Sequence, residues 1–286
     1  MDVSLIIVNY NTKNLLADCL HSVYENTKEI RFEVIVVDNN SSDGSEQHIM
    51  ELFPDVCWIE SPENIGFGKA NNLGASRASG KYLFLLNSDT ILLNNAVKLF
   101  FEYAESSEGK HLGAIGAWLQ NAKGEICNSY GFFPSVSGEV RYLLGKLKEA
   151  QTEQSCVKDV DYIIGADLFI NKKLFLEIGG FDPHFFMYYE ESDLQLRLAL
   201  RHWKRRLINS PKIIHLEGGS FGKNALTFTR FIMAQQSYNY FLRKHKHGLK
   251  YLWHKFALSV IRLTIFGVKE WTWKEKVKAY QLVLIQ

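Results

Sequence analysis

The stretch YLFLLNSDTILL, residues 82–93, decides the fold. An apolar run of strand length, Tyr82–Leu86, stops at Asn87-Ser88-Asp89-Thr90 before apolar character resumes. Such continuous runs mark strands buried on both faces, as in parallel sheets. The polar quartet is either a strand-end turn, for which Asn, Ser and Asp are suited, or the edge of a binding site. Working outward, VSLIIV (3–8) and FEVIVVD (32–38) are runs of the same kind. Between them Leu15, Leu16, Cys19, Leu20 and Val23 recur at helical spacing. A second helix is expected from about Ser42, where SSDGSEQ offers caps, to Phe53. VCWIE (56–60) then reads as a third strand, FGKANNLGASRAS (67–79) as a third helix ending at Gly80, and KYLFLL as the fourth strand. This alternation predicts a doubly wound α/β sheet. Ligands of such sheets bind beyond the carboxyl ends of the strands, and Asn9, Asp38 and Asp89 all fall there.

Further along, LGAIGAWL (112–119) is expected to be a fifth strand, and Phe132 to Cys156 to be irregular apart from a short apolar helix at YLLG. VDYIIGADLFI reads as one strand interrupted by Gly165, and Lys172–Ile178 as a helix stopped by Gly179-Gly180. A helix from about Glu191 to Trp203 follows, and then two short strands ending at His215. The four cysteines, Cys19, Cys57, Cys127 and Cys156, have no zinc or redox spacing. They read as reduced thiols of a cytosolic protein, mostly filling core. With no basic residues before it, SLIIV is expected to be a first strand and not a signal peptide.

Three clusters could carry chemistry. Asp38 and Asp89 end two strands, and each alone is explained by a capping loop or a turn. Glu190, Glu191 and Asp193 crowd a helix start, where acids also compensate the macrodipole. Aromatic neighbours Phe185, Phe186, Tyr188 and Tyr189 would desolvate them, and paired desolvated carboxylates have raised pKa values, as a general base for a hydroxyl needs. His215 is a strand-end histidine or a neutral metal ligand. NIGFGKANNLG lacks the placement and third glycine of a dinucleotide fingerprint. It reads as a loop opening onto a helix whose first amides can meet a phosphate or a sugar hydroxyl.

Five ordered blocks, SLIIVNYNTKNLLADCLHSV, FEVIVVDNNSSDGS, ENIGFGKANNLGASRASGKYLFLLNSDT, YIIGADLFINKKLFLEIGGFDPHFFMYYEESDLQLRLALRHW and IIHLEGGS, closely resemble family 2 inverting glycosyltransferases of the A-type fold, nearest the bacterial rhamnosyltransferase-like branch. The resemblance spans roughly Val3 to Ser220. It implies a Rossmann-like, mostly parallel central sheet flanked by helices, with a catalytic domain over 1–220 and a basic, aromatic-rich helical C-terminal extension over 221–286. It implies a nucleotide-sugar donor (a dTDP- or UDP-sugar, dTDP-rhamnose first), a divalent cation (Mg²⁺ or Mn²⁺), and a glycan or lipid-linked acceptor in cell-surface polysaccharide synthesis. By position, Asn9 and Asp38 resemble nucleotide contacts, and Asn64, Gly66 and Asn71 the loop and helix bordering the donor. Gly165 and Ala166 resemble residues lining the sugar pocket. Asp89 resembles the last acid of the family's Asp-x-Asp motif, with Asn87 standing where its first acid is common. His215 resembles the histidine completing the metal shell. Glu191 resembles the base, with Glu190 beside it. Asp167 stands where an apolar or small residue is expected. Two other readings stay open: a sugar nucleotidyltransferase, whose glycine-and-arginine loop VNYNT replaces, and a degenerate sugar-binding or scaffold protein.

The net charge of +2 is unevenly spread. From Phe241 to Gln286 there are ten Lys/Arg and two acids, Glu270 and Glu275, a local +8, so the rest carries −6. In YLWHKFALSVIRLTIFGV (251–268), Lys255, Ser259 and Arg262 recur on one face, which disfavours a spanning helix. Two readings remain: an interfacial helix with Trp253, Trp271 and Trp273 at headgroup level and lysines on anionic lipid, or a core-packing helix with a solvated basic face. Nucleic-acid binding is not expected, since no recognised module accompanies the charge. The expected location is cytoplasmic, peripheral on the inner face of the cytoplasmic membrane.

Overall fold

The computed structural model describes residues 1–143, 157–216 and 227–285. In chain order the elements are β1 (Val3–Asn9), α1 (Lys13–Asn26), β2 (Phe32–Asp38), α2 (Ser45–Leu52), β3 (Cys57–Glu60), α3 (Phe67–Arg77), β4 (Tyr82–Asn87), β5 (Thr90–Leu92), α4 (Ala96–Glu105), β6 (Leu112–Ala117), β7 (Tyr130–Gly131) and α5 (Val136–Leu143). There follow β8 (Lys158–Asp159), β9 (Tyr162–Ile163), β10 (Asp167–Asn171), α6 (Lys172–Glu177), α7 (Glu190–Leu200), β11 (Lys204–Ile208), β12 (Ile213–His215), α8 (Phe228–His245), α9 (Gly248–Ile261) and α10 (Trp273–Ile285).

One eight-stranded sheet, ordered β3-β2-β1-β4-β10-β6-β11-β8, organises the chain. β1 runs parallel to β2 and β4, β2 to β3, and β6 to β11. The apolar runs are continuous because alternate residues feed two cores. Leu5, Ile7, Val34 and Val36 pack with Leu16 and Leu20 of α1, Ile49 of α2 and Phe100 of α4. Ile6, Ile35 and Val37 pack with Ala70 of α3, Phe175 of α6 and Leu194 of α7. A third core joins Tyr238 and Leu242 of α8 to Leu258 of α9 and Ala279 and Val283 of α10. Because β2 and β4 flank β1, the strand order reverses there, and a ligand crevice opens beyond the carboxyl ends of these strands.

Several expectations need correction. VDYIIGADLFI is not one strand: β9 joins a ribbon with β7, and β10 inserts antiparallel between β4 and β6. α2 starts at Ser45, after Gly44 at φ +74°, and Asp43 Oδ1 accepts the Ser45 amide at 3.1 Å. α3 ends at Arg77, α6 at Glu177 and β6 at Ala117, and α7 spans Glu190–Leu200. Cys57 is exposed on the edge strand β3, while Cys19 is buried and Cys127 is intermediate. The stretch after Phe132 is less irregular than expected, since α5 starts at Val136; Cys156 and half of the YLLG segment lie outside the described residues. Asp167 acquires a role: its buried Oδ2 accepts the Ala117 amide at 2.5 Å, where β6 ends. Burial pushes its carboxyl well above the usual carboxylate range.

In the tail, Lys255 reaches Asn239 at 3.4 Å and Arg262 pairs with Glu139 at 3.2 Å. The expected solvated basic face is therefore turned toward the protein. Trp271 is buried against Phe228 and Phe231, while Trp253 and Trp273 are exposed. No described helix is long and apolar enough to cross a membrane.

Candidate active site

At the carboxyl edge of β1 and β2, Asn9 Nδ2 donates to Asp38 Oδ1 at 2.6 Å and to Ser41 Oγ at 3.1 Å. Asp38 also accepts the Ser41 amide at 2.8 Å and its hydroxyl at 2.6 Å. Thr12 Oγ1 donates to Asn9 Oδ1 at 2.7 Å and lies 2.9 Å from Ser88 Oγ, which joins the network to the residue before Asp89. Asn9 and Asp38 are both buried, so this wall is fixed before any ligand arrives. Neighbouring Asn39, which sequence reasoning missed, is buried with its Nδ2 on the Gly66 carbonyl at 3.3 Å. Its Oδ1 finds no partner among the described residues.

The loop before α3 closes the second wall. Asn64 Oδ1 accepts the Gly66 amide at 3.0 Å. Gly66 sits at φ +85°, and a Cβ there would lie 2.2 Å from the Phe186 carbonyl oxygen, so only glycine fits. That carbonyl accepts the Phe67 amide at 3.1 Å. A Cβ on Gly68 would lie 3.6 Å from Glu190 Cβ, so the start of α3 abuts the start of α7. Asn71 is buried, but its Nδ2 goes to the Phe67 carbonyl of its own helix at 3.0 Å. The cross-element bonds come instead from Asn72, to the Phe181 carbonyl at 2.7 Å and from its amide at 2.9 Å. A Cβ on Gly165 would meet the Phe67 ring at 3.2 Å, and Ala166, buried, accepts the Asn87 amide at 3.0 Å.

Asp89 and His215 are brought together by the β5–β12 ribbon, in which His215 pairs with Thr90. His215 Nε2 lies 3.3 Å from Asp89 Oδ1, and the Leu216 amide donates to the Asp89 carbonyl at 2.9 Å. Nδ1 of His215 is buried with no partner among the described residues. A carboxylate oxygen and an imidazole nitrogen this close can share one divalent cation. No cluster of three His, Cys, Asp or Glu occurs among the described residues. The pair therefore fits a cation that takes its remaining ligands from phosphates and water, as Mg²⁺ and Mn²⁺ do.

Glu190 and Glu191 begin α7. Oε2 of each is buried with no hydrogen-bond partner among the described residues. Burial raises Glu190 well above the usual carboxylate range, with the Glu191 charge adding to it. Burial also raises Glu191, from 4.5 to about 7, against the backbone amides of the helix start. Two carboxyls that share such a site titrate as a pair. Tyr162 is close enough that the Glu191 charge helps push its phenol up, after burial itself. Asp193 is different. Arg197, Lys244 and His245 all hold it, at 2.8, 2.7 and 2.7 Å, and they lower its pKa against burial. It is an anchor between α7 and α8, and Lys244 also reaches Asp182 at 2.5 Å.

The turn that presents the glutamates was invisible in the sequence. Tyr188 and Tyr189 have φ +70° and +66°, a left-handed conformation that non-glycine residues seldom adopt. Two such residues in succession cost about 1–3 kcal/mol each unless the surroundings hold them. Here α8 holds them: Arg230 Nε donates to Tyr188 Oη at 3.1 Å, Ser237 Oγ donates to the Met187 carbonyl at 2.7 Å, and the Tyr189 ring packs edge-on to Tyr238 at 5.1 Å. Cavities elsewhere are not this site; one of about 420 Å³ is lined by Tyr82, Glu105 and Lys110, near the opposite ends of the strands.

Residues 4–124 match the family model described as Glycosyl transferase family 2. Over this segment the chain resembles the family 2 glycosyltransferases. It is 25% identical over 213 residues to the N-acetylglucosaminyl-diphospho-decaprenol L-rhamnosyltransferase of Mycobacterium tuberculosis, covering 67% of this chain and 68% of the relative. It is 27% identical over 223 residues to the rhamnosyltransferase WbbL of Escherichia coli K12, covering 74% of this chain and 83% of the relative. Among solved structures it resembles the mannosyltransferase PcManGT of Pyrobaculum calidifontis, in complex with GDP-Man and Mn²⁺, at a TM-score of 0.62 and 16% identity. That likeness covers 98% of this chain and 78% of the other. The chain thus has the A-type glycosyltransferase fold, with helices added at the C-terminus.

Proposed function

We propose that the protein is an inverting glycosyltransferase that moves a sugar, rhamnose from dTDP-rhamnose first among the candidates, onto a glycan or lipid-linked acceptor in cell-surface polysaccharide synthesis. It works at the inner face of the cytoplasmic membrane, with residues 1–220 as its catalytic part and 221–286 as an extension. The observation that carries this reading is the pair Glu190–Glu191, each with a buried, unpartnered Oε2, abutting the start of α3, whose loop at Gly66 is bonded to Asn39 beside Asp38. The rhamnosyltransferase relatives support the donor, and the decaprenol in one relative's name supports a lipid-linked acceptor.

In this reading Asn9, Asp38, Asn64, Gly66, Asn71 and Asn87 border the nucleotide, and Gly165 and Ala166 the sugar. Glu191 takes the proton of the acceptor hydroxyl as its oxygen bonds to the anomeric carbon, and the bond to the nucleoside diphosphate breaks on the opposite face. Near pH 7 a carboxyl raised to about 7 is partly ionised and basic enough to do this. Glu190, its carboxyl also raised by burial, stands beside it to hydrogen-bond with the acceptor. Asp89 and His215 would hold Mg²⁺ or Mn²⁺, which offsets the charge of the departing diphosphate.

Titration calorimetry with dTDP and UDP, with and without Mn²⁺, followed by a hydrolysis screen over nucleotide sugars, tests the reading. Metal-dependent binding of one nucleotide, and turnover of its sugar, are expected. Absence of nucleotide binding under any metal condition overturns it.

A further inference from the structure

The outward face of α9 is apolar. Leu249, Leu252, Trp253, Phe256 and Val260 are 84%, 60%, 63%, 62% and 51% exposed. At 3.6 residues per turn these five fall within an arc of about 100°, opposite the buried His254 and Leu258. Leu263, half exposed, continues the row into the 3₁₀ turn Arg262–Gly267. Phe266 then packs on the exposed Trp273 at 5.5 Å. Single exposed apolar residues need no explanation, but a contiguous row of this size marks a contact surface.

We propose that this face lies on an anionic lipid bilayer, with α9 parallel to the surface and its apolar row among the acyl-chain ends. The charge around the row selects this occupant. Lys250 and Arg243 are exposed near its first turn, and Lys269 and Lys274, with Glu270 between them, in the chain that follows it. The segment from Phe241 carries ten Lys/Arg and two acids. A bilayer with anionic headgroups neutralises such a rim, each basic residue adding about 1 kcal/mol near the surface. A second copy docked face to face would bring like charges together. Trp and Phe in the row suit the headgroup boundary. The proposal rests on the membrane-side reading of the reaction for its purpose only; its evidence is the exposed face and its rim.

Sedimentation of the full chain with vesicles tests it, comparing phosphatidylcholine alone with phosphatidylcholine and phosphatidylglycerol in equal parts. Wild type is expected to pellet with the anionic vesicles and less so in high salt. The double variant W253S/F256S should weaken this by about tenfold or more, because two large apolar side chains no longer leave water. K250E/K274E should weaken binding to anionic vesicles only. Both variants keep their buried cores, and far-UV dichroism and nucleotide calorimetry in solution should match wild type. Wild type remaining in the supernatant, or W253S/F256S pelleting as well as wild type, overturns the proposal. So does a wild-type dimer that W253S/F256S dissociates. Failure of nucleotide binding by wild type would sink the reaction but leave the vesicle result standing.

Discussion

Replacing Glu191 by Gln should stabilise the protein while abolishing transfer, and the gain should grow as pH rises from about 4.5 and level off just above 7. A carboxyl whose ordinary value is 4.5 stands at about 7 in the folded chain because burial disfavours its charged form. The folded state therefore binds more protons than the unfolded state between these values, and the stability gained there falls as pH rises. Full below 4.5, that contribution is lost by the time Glu191 has ionised, just above 7. At about 1.4 kcal/mol per pH unit, wild type gives up about 3 kcal/mol across the window. Glutamine keeps the shape and cannot ionise, so the variant does not incur this loss. Urea unfolding of both proteins between about pH 5 and about pH 8.5 should show curves that converge in acid and separate by about 3 kcal/mol at the alkaline end. In thermal melts the separation is roughly 5 to 10 °C. Every other titrating group is common to the two proteins and cancels in the difference, apart from Glu190. Glu190 loses its neighbour's charge but stays raised by burial, so E190Q/E191Q should show the larger separation. A difference that stays flat with pH would refute the buried-base argument, whatever happened to activity.

In wild type, the rate of transfer should rise with pH through an apparent pKa near 7, where Glu191 ionises; a rising limb below about 5 would place the base elsewhere. Gly66→Ala places a Cβ 2.2 Å from the Phe186 carbonyl oxygen at a left-handed φ, and calorimetry should show nucleotide binding lost or stability lowered by more than about 2 kcal/mol. Lys244→Ala leaves the fully buried Asp193 short of one cation, costing about 3–5 kcal/mol in urea unfolding, with Lys244→Arg recovering part of it. His215→Ala should weaken nucleotide binding in Mn²⁺ but not in its absence, which calorimetry resolves; equal weakening in both would remove His215 from the cation's shell.

Much of the fold was legible because strands buried on both faces leave continuous apolar runs, as at residues 3–8, 32–38 and 82–86. The polar residues ending them, Asn9, Asp38 and Asp89, stood out against those runs. Long-range pairing was not legible. Nothing local says that β10 inserts antiparallel beside β4, or that β12 carries His215 to Asp89 by pairing with β5. Asn71 and Asn72 are adjacent and chemically alike, and only helix phase decides that Asn72 bonds across to Phe181. The tail misled for a related reason. Lys255 and Arg262 look solvent-bound by composition, yet Asn239 and Glu139 give them partners inside, which leaves the apolar side of α9 outward. The left-handed tyrosines leave no trace in a single sequence, since tyrosine carries no marker of positive φ.

Those tyrosines explain why the glutamate end of α7 depends on α8. A carboxyl pair kept out of water and a turn with two non-glycine residues at positive φ are each unfavourable alone. Relaxing the turn would swing Glu190 and Glu191 toward solvent and return them to ordinary acids, which would relieve both costs at once. What opposes this is the grip of α8 on both sides of the glutamates. Arg230, Ser237 and Tyr238 hold Tyr188, Met187 and Tyr189 before them. Lys244 and His245 hold Asp193 after them. Within three residues of Glu191 the chain is thus fixed from one helix, and Glu191 keeps its raised pKa while that helix is docked. Tyr238→Ala should therefore shift the pH–rate limb toward ordinary carboxylate values as well as reduce stability. A purely structural role for Tyr238 predicts lower stability with the limb unmoved.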